Sequence, residues 1–286
     1  MSNIKNILVT GAGGLVGTHL VSSLAKGSYK VYTASSSLDG ENNISIDFSK
    51  EWDTCVLPKD IDCIIHLSQS REFREFPGKA KNVFYVNTLS TLKLIDWAVS
   101  TGLKKFIYAS SAGVYGNSDN PFSEEQSIVY RKEQGFYLGT KYCSEIILDN
   151  YTSLIDIIQM RFIFVYGKGQ NRSMLIPRLV DNIRKNATIT LQGEEGLKTN
   201  PIHVSDAVKA IEASFSIQGS HKFNIGGPEV LSLKQIAEII GLHLNIHPRF
   251  TLQPQPAGNI IGDISKMKKT LITPGVTFTE GVKDLI

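Results

Sequence analysis

Short apolar segments rich in β-branched residues alternate with stretches of helical periodicity in the first half of the chain. The apolar segments are NILVT, KVYTAS, ISIDF, DCIIHL, KKFIYAS and IDIIQMRFIFV. Helical periodicity runs from Leu15 to Ala25, closed by Gly27, and from Val83 to Val99. Strands that are apolar at every position are buried on both faces. The alternation therefore predicts an α/β fold with a doubly wound parallel sheet covered by helices on both sides.

The pattern changes after about residue 167. The segment NIRKNATITLQGEEGLKTNP is polar and rich in turn formers. It is followed by a helix that we predict to begin with a capping box of Ser232 and Gln235 and to end at Gly241. We predict a first domain of residues 1–167, with return segments near 200–227. Residues 168–286 would form a smaller α+β part packed on one edge of it.

The composition is that of an ordinary globular protein: 286 residues, 42% hydrophobic and 20% charged, with a formal net charge of +3. This charge does not call for nucleic acid or a membrane as a partner. The N-terminus lacks a secretory pattern, and no apolar run has membrane-spanning length. The three cysteines, Cys55, Cys63 and Cys143, lie far apart without metal-ligand spacing. We expect buried free thiols, no metal site and a cytoplasmic protein.

A glycine-rich turn stands between the first strand and the first helix. In ILVTGAGGLVGTHL, the three glycines with the spacing of a dinucleotide-binding turn are Gly11, Gly14 and Gly17, and Leu15 and Val16 lie between the last two. A helix N-terminus presents unpaired N–H groups, and glycines let a pyrophosphate approach them closely. This arrangement predicts a Rossmann-type dinucleotide site, although a glycine-rich turn without a ligand is the alternative.

The end of the second strand bears on the choice of cofactor. Dinucleotide-binding proteins often place there an acid that binds the adenosine ribose, but this chain has Ser35 and Ser36 in VYTASSS. The missing carboxylate makes NADP possible, yet no arginine follows that would hold its 2′-phosphate. NAD is favoured, and NADP is not excluded.

Tyr137 and Lys141 stand four residues apart in FYLGTKYCSE, so that they share one face of a predicted helix. By itself this spacing is common in helices. It belongs, however, to a set of motifs that occur in one order: the glycine turn, HLSQS, VNTLST, ASSAGVYG, Tyr137-x-x-x-Lys141, MRFIFVYGKGQ, PIHVSDA, FNIGGPE and GDISK. With this set, the chain resembles an extended short-chain dehydrogenase/reductase of the NAD-dependent epimerase/dehydratase family from residue 4 to about residue 283. The family acts mostly on nucleotide sugars.

The resemblance implies catalytic roles for three residues. Tyr137 would be the base that takes a proton from a sugar hydroxyl. Lys141 would bind the nicotinamide ribose and, together with the positive nicotinamide ring, lower the pKa of the Tyr137 phenol from about 10. Ser111 would donate a hydrogen bond to the reacting oxygen, and Ser110 is the rival for that role.

The resemblance also implies contacts with the cofactor outside the glycine turn, at Asp47, Phe48, Leu67, Ser68, Gln69 and Asn87. Asp47 could instead be a turn residue, and Asn87 a surface amide of a helix. We expect His66 and His203 to be hydrogen-bonded core residues rather than catalytic groups.

The residues that follow strand five narrow the reaction. Dehydratases of this family have TDE where this chain has Ser111-Ala112-Gly113, and decarboxylating relatives also place a glutamate there. Without these carboxylates, hydride chemistry at a single carbon remains. The resemblance therefore implies 4-epimerisation of a nucleotide-activated sugar through a transient keto intermediate. A keto-sugar reductase or dehydrogenase is the alternative, and a non-catalytic dinucleotide-binding protein is a third.

The substrate side departs from the family pattern. Phe164 replaces the asparagine of NVYG, and Thr199-Asn200-Pro201 replaces an Arg-Asp pair that binds phosphate. Substrate diphosphates are usually held by guanidinium groups. The substitutes available in this chain are Arg172, Arg178, Lys198 and Arg249. The loop after strand four adds Arg71, Phe73 and Arg74 as residues that could select the substrate, and by resemblance we expect a homodimer through helices near 87–100 and 137–151.

Overall fold

The computed structural model describes residues 4–37 and 39–286 and divides them into two compact units. The first unit comprises the described residues up to Val114 together with Ile128–Arg161 and Ile211–Phe223. The second comprises Tyr115–Ser127, Phe162–Ala210 and Asn224–Ile286.

The strands in chain order are β1 (Asn6–Thr10), β2 (Lys30–Ala34), β3 (Asn43–Ile44), β4 (Cys63–His66), β5 (Lys105–Ser111), β6 (Asp156–Phe162), β7 (Ile189–Gln192), β8 (Lys198–Thr199), β9 (His221–Ile225), β10 (Leu231–Ser232) and β11 (Phe250–Gln253). The helices are α1 (Leu15–Leu24), α2 (Ala80–Phe84), α3 (Ser90–Ser100), α4 (Gly135–Asp149), α5 (Leu175–Arg184), α6 (Val204–Ala213), α7 (Leu233–Leu244), α8 (Ser265–Thr270) and α9 (Phe278–Gly281). Among the described residues, no helix combines the length and the apolar character needed to cross a membrane.

A seven-stranded sheet, in the order β3-β2-β1-β4-β5-β6-β9, organises the first unit. The β1–β2, β1–β4, β2–β3 and β4–β5 pairs are parallel, which confirms the predicted fold class. Thr10 pairs with His66, which pairs with Tyr108. The residues that follow these three therefore meet at one edge of the sheet, where parallel doubly wound folds bind their ligands.

The second unit has a separate core, in which apolar residues of α5, α7 and α9 pack around β7 and Tyr166. Its strands form two small sheets, a parallel one of β7 and β11 and an antiparallel one of β8 and β10.

Two predicted elements differ from the structure in extent. Of the segment ISIDF, Ile44 lies in the two-residue strand β3, while Ile46 and Phe48 are buried without strand pairing. Burial alone therefore explains their apolar character. The helix predicted from Val83 to Val99 runs as α2 and α3, joined by a π-helical turn, Tyr85–Leu89.

The predicted capping box at the start of α7 is confirmed. The Gln235 backbone N–H donates to Ser232 Oγ at 3.1 Å, and the Ser232 N–H donates to Gln235 Oε1 at 2.8 Å. The predicted end at Gly241 is wrong, because the helix continues to Leu244 and ends at Asn245 in the left-handed conformation. Gly241 is required for packing, since an added Cβ would lie 2.5 Å from the carbonyl oxygen of Ile246.

The cysteine prediction is only partly right. Cys63 is buried in β4, but Cys55 and Cys143 are exposed. Burial raises the pKa of the Cys63 thiol to about 12 and makes it unreactive.

Candidate active site

The glycine-rich turn between β1 and α1 is closely packed against the chain that follows β4. Gly11 has a φ of 69°, and an added Cβ would lie 2.7 Å from the backbone of Leu67 and Ser68. At Gly17, an added Cβ would lie 2.3 Å from the carbonyl oxygen of Gly11. Only glycine fits at either position, which is what close approach of a pyrophosphate to this backbone also needs.

The N-terminus of α1 is suited to an anion. The N-cap residue is Gly14, no side chain caps the helix, and its first turn, which includes Leu15, Val16 and Gly17, contains no acidic residue. The positive end of the helix dipole is thus left without a competing carboxylate. The residues present fit a dinucleotide.

Ser35 and Ser36 follow β2 at the same edge of the sheet. Ser35 Oγ is 3.1 Å from Ser37 Oγ, and the Ser36 side chain is exposed. Neither residue adds a charge, so the choice between a ribose hydroxyl and a 2′-phosphate stays a prediction.

Asp47 and Phe48 have different surroundings. The Asp47 carboxylate accepts hydrogen bonds from the N–H and hydroxyl of Ser49 and lies 3.3 Å from Lys50 Nζ. These partners, Ser49 first, hold the pKa of Asp47 below its usual value. The Phe48 ring packs in the core at 5.2 Å from the ring of Trp52, so any cofactor contact of Phe48 falls to its backbone.

Tyr137 and Lys141 lie in the first half of α4, as predicted. The Tyr137 ring is partly exposed, and its hydroxyl donates to Gln69 Oε1 at 2.8 Å. Lys141 is 2% exposed. Its Nζ donates to the carbonyl oxygen of Ala109 at 2.8 Å and lies 5.0 Å from the centre of the Tyr108 ring.

The predicted lowering of the Tyr137 pKa does not come from the protein's own residues. Burial among the groups packed around it raises the pKa of this phenol. Burial also lowers the pKa of Lys141 to about 7, against the opposing effect of Glu145. A lysine that is only half protonated at pH 7 attracts a phenolate weakly. The lowering of this pKa stays a prediction for the cofactor-bound protein.

Ser110 and Ser111 point to opposite faces of β5, as neighbouring strand residues do. Ser110 is buried, and its hydroxyl donates to Glu145 Oε1. Ser111 is partly exposed, and its Oγ accepts the backbone N–H of Gly113 at 3.2 Å. Ser111 is thus the serine that a substrate could reach.

A buried ion pair that was not predicted from the sequence lies beneath this site. The Arg161 guanidinium on β6 donates to both oxygens of Glu145 on α4, at distances from 2.6 to 3.2 Å. Glu145 is one helical turn beyond Lys141, so helical spacing could have placed Glu145 on the same face of α4, but not its pairing with Arg161.

The chain after β4 contains three predicted cofactor residues and leads into a fourth. Leu67 is partly buried, Ser68 is buried and Gln69 is exposed. Asn87 is 1% exposed inside the π-helical turn, so the alternative of a surface amide is wrong. Its Oδ1 accepts the backbone N–H of Ser70 at 3.0 Å.

The same segment provides the three residues that could select a substrate. Arg71 and Arg74 are exposed, and the Arg74 guanidinium lies 4.9 Å from the centre of the Phe73 ring. The Phe73 ring in turn lies 5.0 Å from that of Tyr137. Phe73 therefore reaches the predicted base directly.

The two histidines are core residues, as predicted. His66 is fully buried, with Nδ1 2.7 Å from Thr10 Oγ1 and Nε2 3.1 Å from Thr91 Oγ1. Burial lowers its pKa to about 3, so it is neutral at pH 7. In the second unit, His203 lies 2.8 Å from Ser205 Oγ and 3.2 Å from an Asp284 carboxylate oxygen.

The predicted substrate cations of the second unit differ in how they are held. Arg172 donates to both oxygens of Asp181 and, at 3.0 Å, to the carbonyl oxygen of Leu285. The side chains of Arg178, Lys198 and Arg249 are exposed. Of these candidates, Arg172 is thus the one whose guanidinium is bound to a carboxylate of the protein itself.

Phe164 and Asn200 occupy positions where the family has polar substrate contacts. Phe164 is partly exposed and has a φ of 39°, a strained conformation for a bulky residue and one that concentrates at functional sites. Asn200 is buried and exchanges two hydrogen bonds with the backbone of Gly262, both at 3.0 Å. Asn200 therefore has a structural role.

No cluster of three His, Cys, Asp or Glu side chains suited to a metal ion is found in residues 4–37 and 39–286. What these residues do bring together at the edge of the sheet is a glycine turn, a reachable serine and a Tyr/Lys pair.

The fold and this set of residues define a dinucleotide-dependent enzyme of the extended short-chain dehydrogenase/reductase class. The chain belongs to the NAD dependent epimerase/dehydratase family, which it matches over residues 7–226. An uncharacterized protein of Methanocaldococcus jannaschii is 29% identical, over 98% of this chain and 94% of that protein. The dTDP-4-dehydro-6-deoxyglucose reductase of Escherichia coli is 26% identical, over 99% and 96%.

Among solved structures, the UDP-glucuronic acid 4-epimerase from Bacillus cereus in complex with UDP-glucuronic acid and NAD is similar, with a TM-score of 0.86. The two sequences are 24% identical, over 98% of this chain and 97% of that chain. This likeness shows that the fold is shared along nearly the whole chain.

Proposed function

We propose that this protein catalyses NAD-dependent 4-epimerisation of a nucleotide-activated sugar through a transient keto intermediate. The observation that carries the proposal is the placement of Tyr137 and Ser111. Both are partly exposed, and Leu138, the neighbour of Tyr137, packs against the segment that begins with Ser111. The proposal has both hydroxyl groups approach one substrate oxygen, at the edge of the sheet that also contains the glycine turn.

In this proposal, Tyr137 takes the proton of the sugar hydroxyl while the hydride leaves the same carbon, and Ser111 donates a hydrogen bond to that oxygen. NAD, when bound, supplies the acceptor of the hydride and then its donor. Lys141 orients the nicotinamide ribose. Tyr137 keeps the proton until the keto sugar has turned, and returns it when the hydride arrives from the opposite face.

Dehydration is disfavoured by the packing around the segment 111–113. Ala112 is 1% exposed, and an added Cβ at Gly113 would lie 2.8 Å from the Leu138 side chain. Neither residue carries the carboxyl acid and base that water elimination needs, and a side chain at position 113 would require the Leu138 side chain to move. This supports hydride chemistry at a single carbon.

A keto-sugar reductase is the second candidate. It is favoured by the 26% identity to a dTDP-4-dehydro-6-deoxyglucose reductase over 99% of this chain. NADH or NADPH, when bound, would then supply a hydride once, and Tyr137 would supply the proton, with Ser111 and Lys141 in the same roles. No oxidation of the sugar would precede this step. The two candidates differ in whether the cofactor stays bound in its oxidised form.

The substrate is proposed to be a nucleotide diphosphate sugar because several relatives are named for such substrates, among them a UDP-glucuronate 4-epimerase of Thermodesulfobacterium geofontis. Arg178 and Lys198 are the exposed cations proposed for its diphosphate.

The protein is also proposed to form a homodimer. This is supported by exposed apolar residues on the helices near the predicted dimer contacts, which are Phe84, Leu92 and Ile146. A solution mass equal to that of one 31.5 kDa chain would exclude it.

The test combines a bound-cofactor measurement with one substitution. We expect mass spectrometry of the purified protein to detect NAD, and UDP- or dTDP-sugars to be interconverted at C4 without net NADH. Tyr137→Phe should lower turnover by about 10²-fold or more while NAD binding persists. Tyr142→Phe, on the same helix, should behave as the wild type. Turnover retained in Tyr137→Phe would contradict the proposal, and net consumption of NADH or NADPH would favour the reductase.

A further inference from the structure

The hydroxyl group of Tyr137 is held by a residue for which the reaction scheme above has no role. The Tyr137 hydroxyl donates to Gln69 Oε1 at 2.8 Å, and Phe73, four residues further on, packs against the Tyr137 ring at 5.0 Å. The segment after β4 therefore contacts the predicted base at two points, one polar and one aromatic.

A chain of buried hydrogen bonds fixes this segment relative to α4. The Ser70 backbone N–H donates to Asn87 Oδ1 at 3.0 Å, and Asn87 Nδ2 donates to Thr140 Oγ1 at 3.0 Å. Thr140 Oγ1 donates to the backbone carbonyl oxygen of Tyr137 at 2.6 Å. Ser70, Asn87 and Thr140 are at most 4% exposed. The chain thus links the neighbour of Gln69 to the backbone of the residue whose hydroxyl Gln69 binds.

Asn87 occupies this position because of the π-helical turn Tyr85–Leu89. The Asn87 carbonyl oxygen accepts hydrogen bonds from the hydroxyls of Thr91 at 2.7 Å and Ser144 at 2.9 Å. Such turns are rare and concentrate at functional sites. Here Asn87 Oδ1 contacts the segment after β4, and Asn87 Nδ2 contacts α4.

We propose that Gln69 is a positioning residue that holds the Tyr137 hydroxyl in both of its protonation states. This inference rests on the proposed function of Tyr137 as the base. The carboxamide oxygen accepts from the neutral phenol, as the structure shows. Rotation about the terminal side-chain torsion, which is broad and nearly two-fold, presents Nε2–H to the phenolate. A glutamine can therefore serve both states, whereas a carboxylate serves only the neutral one and an aliphatic side chain neither.

The elements around Tyr137 also contain titratable groups. They are Lys141 and Glu145 on α4, Tyr108 on β5, His66 on β4, and Arg71, Glu72 and Arg74 on the segment after β4. Lys141 donates a hydrogen bond to the Ala109 carbonyl oxygen. Glu145 forms an ion pair with Arg161, and Glu72 forms one with Lys79. A charge introduced at position 69 would act on the phenol over a short distance, because the side chain of Gln69 lies 2.8 Å from the Tyr137 hydroxyl.

The experiment measures Gln69→Glu and Gln69→Leu in the NAD-bound enzyme. In Gln69→Glu, the like charge disfavours the phenolate, so the acid limb of the kcat profile should move up by about one pH unit. In Gln69→Leu, loss of the hydrogen bond should lower kcat about five- to tenfold, with KM nearly unchanged. Gln192→Glu and Gln192→Leu, at an exposed position on β7, are the matched controls.

A titration that does not depend on turnover completes the test. The ultraviolet difference spectrum of each variant, with and without Tyr137→Phe, isolates the ionisation of this phenol. The midpoint of this ionisation should shift in Gln69→Glu in the same direction as the kcat profile. An unshifted titration, or a rise in KM or in the NAD dissociation constant with an unchanged pH profile, would overturn the inference and assign Gln69 to ligand binding. Retained turnover in Tyr137→Phe would instead overturn the proposed function.

Discussion

Each unit of the chain contains an arginine that binds a carboxylate through more than one nitrogen–oxygen contact, but the surroundings of the two pairs differ. The side chains of Arg161 and Glu145 are 2% and 0% exposed, and Glu145 also accepts from Ser110. Those of Arg172 and Asp181 are 44% and 31% exposed. The first pair lies beneath the Tyr/Lys site, and the second joins the turn before α5 to the middle of that helix.

The difference determines what each arginine can do. A charge buried away from water must keep its partner, because the unpaired ion would lose its solvation without compensation. An exposed pair is already solvated, so it adds little to stability, and the same unit contains the exposed cations Arg178 and Lys198. We infer that the first region has fixed side chains that position the chemistry, and that the second has cations able to bind an arriving anion.

The largest expected effect is on stability. Arg161→Leu leaves the Glu145 carboxylate buried without its counter-charge, which should lower the free energy of unfolding by about 3–5 kcal/mol. Arg172→Leu removes an exposed pair and should lower it by less than about 1 kcal/mol. Urea unfolding followed by circular dichroism measures both.

The double variant Arg161→Leu with Glu145→Leu sharpens this comparison. Replacing both charges with apolar groups should recover much of the stability, because no unpaired ion remains. Equal losses in Arg161→Leu and Arg172→Leu would show that burial does not separate the two pairs.

The second effect is the pH dependence that Lys141 gives to stability. Its folded pKa, about 7, lies below the ordinary value of 10.5. Between these values the unfolded chain binds a proton that the folded chain does not. Stability should therefore rise with pH in this window, and the penalty should be complete below pH 7. The Lys141→Met variant lacks this penalty, so its stability relative to the wild type should be about 3 kcal/mol greater at pH 7 than at pH 9.5.

Urea midpoints between pH 7 and 9.5 measure this difference. The raised pKa of the Tyr137 phenol affects stability only above its ordinary value of about 10, outside the window. Lys26→Met, at an exposed position after α1, should follow the wild type at every pH. A constant difference between Lys141→Met and the wild type would show that Lys141 keeps its proton in the folded protein.

Local sequence signals were sufficient for the parts of the molecule that depend on neighbouring residues. The strand–glycine–helix order around Gly11, the apolar strands and the capping box at Ser232 each follow from residues a few positions apart. The Tyr137 and Lys141 spacing gave their shared helix, whereas Ser111 was preferred to Ser110 by the resemblance to the family. These features could be predicted because their physical cause is short-range.

What could not be predicted depends on contacts between distant segments. The end of α7 was misplaced because Gly241 is needed for the approach of the Ile246 carbonyl, not for a helix stop. Burial of Asn87, and the pairing of Glu145 with Arg161, require knowledge of which elements pack together. Burial of Tyr137, which raises the pKa of its phenol in the protein alone, likewise depends on segments that are distant in sequence.

The smallest expected effect concerns the exposed cations of the second unit. If Arg178 and Lys198 bind the substrate diphosphate, Arg178→Ala and Lys198→Ala should each raise KM for the nucleotide sugar about tenfold, with kcat little changed. Arg172→Ala should raise KM less, because Asp181 already holds that guanidinium. Arg184→Ala, at an exposed position in the last turn of α5, is the matched control. Unchanged KM values in Arg178→Ala and Lys198→Ala would contradict the inference that the exposed cations of the second unit bind the substrate. The diphosphate would then have to be assigned to other cations, of which Arg71 and Arg74 are the next to replace.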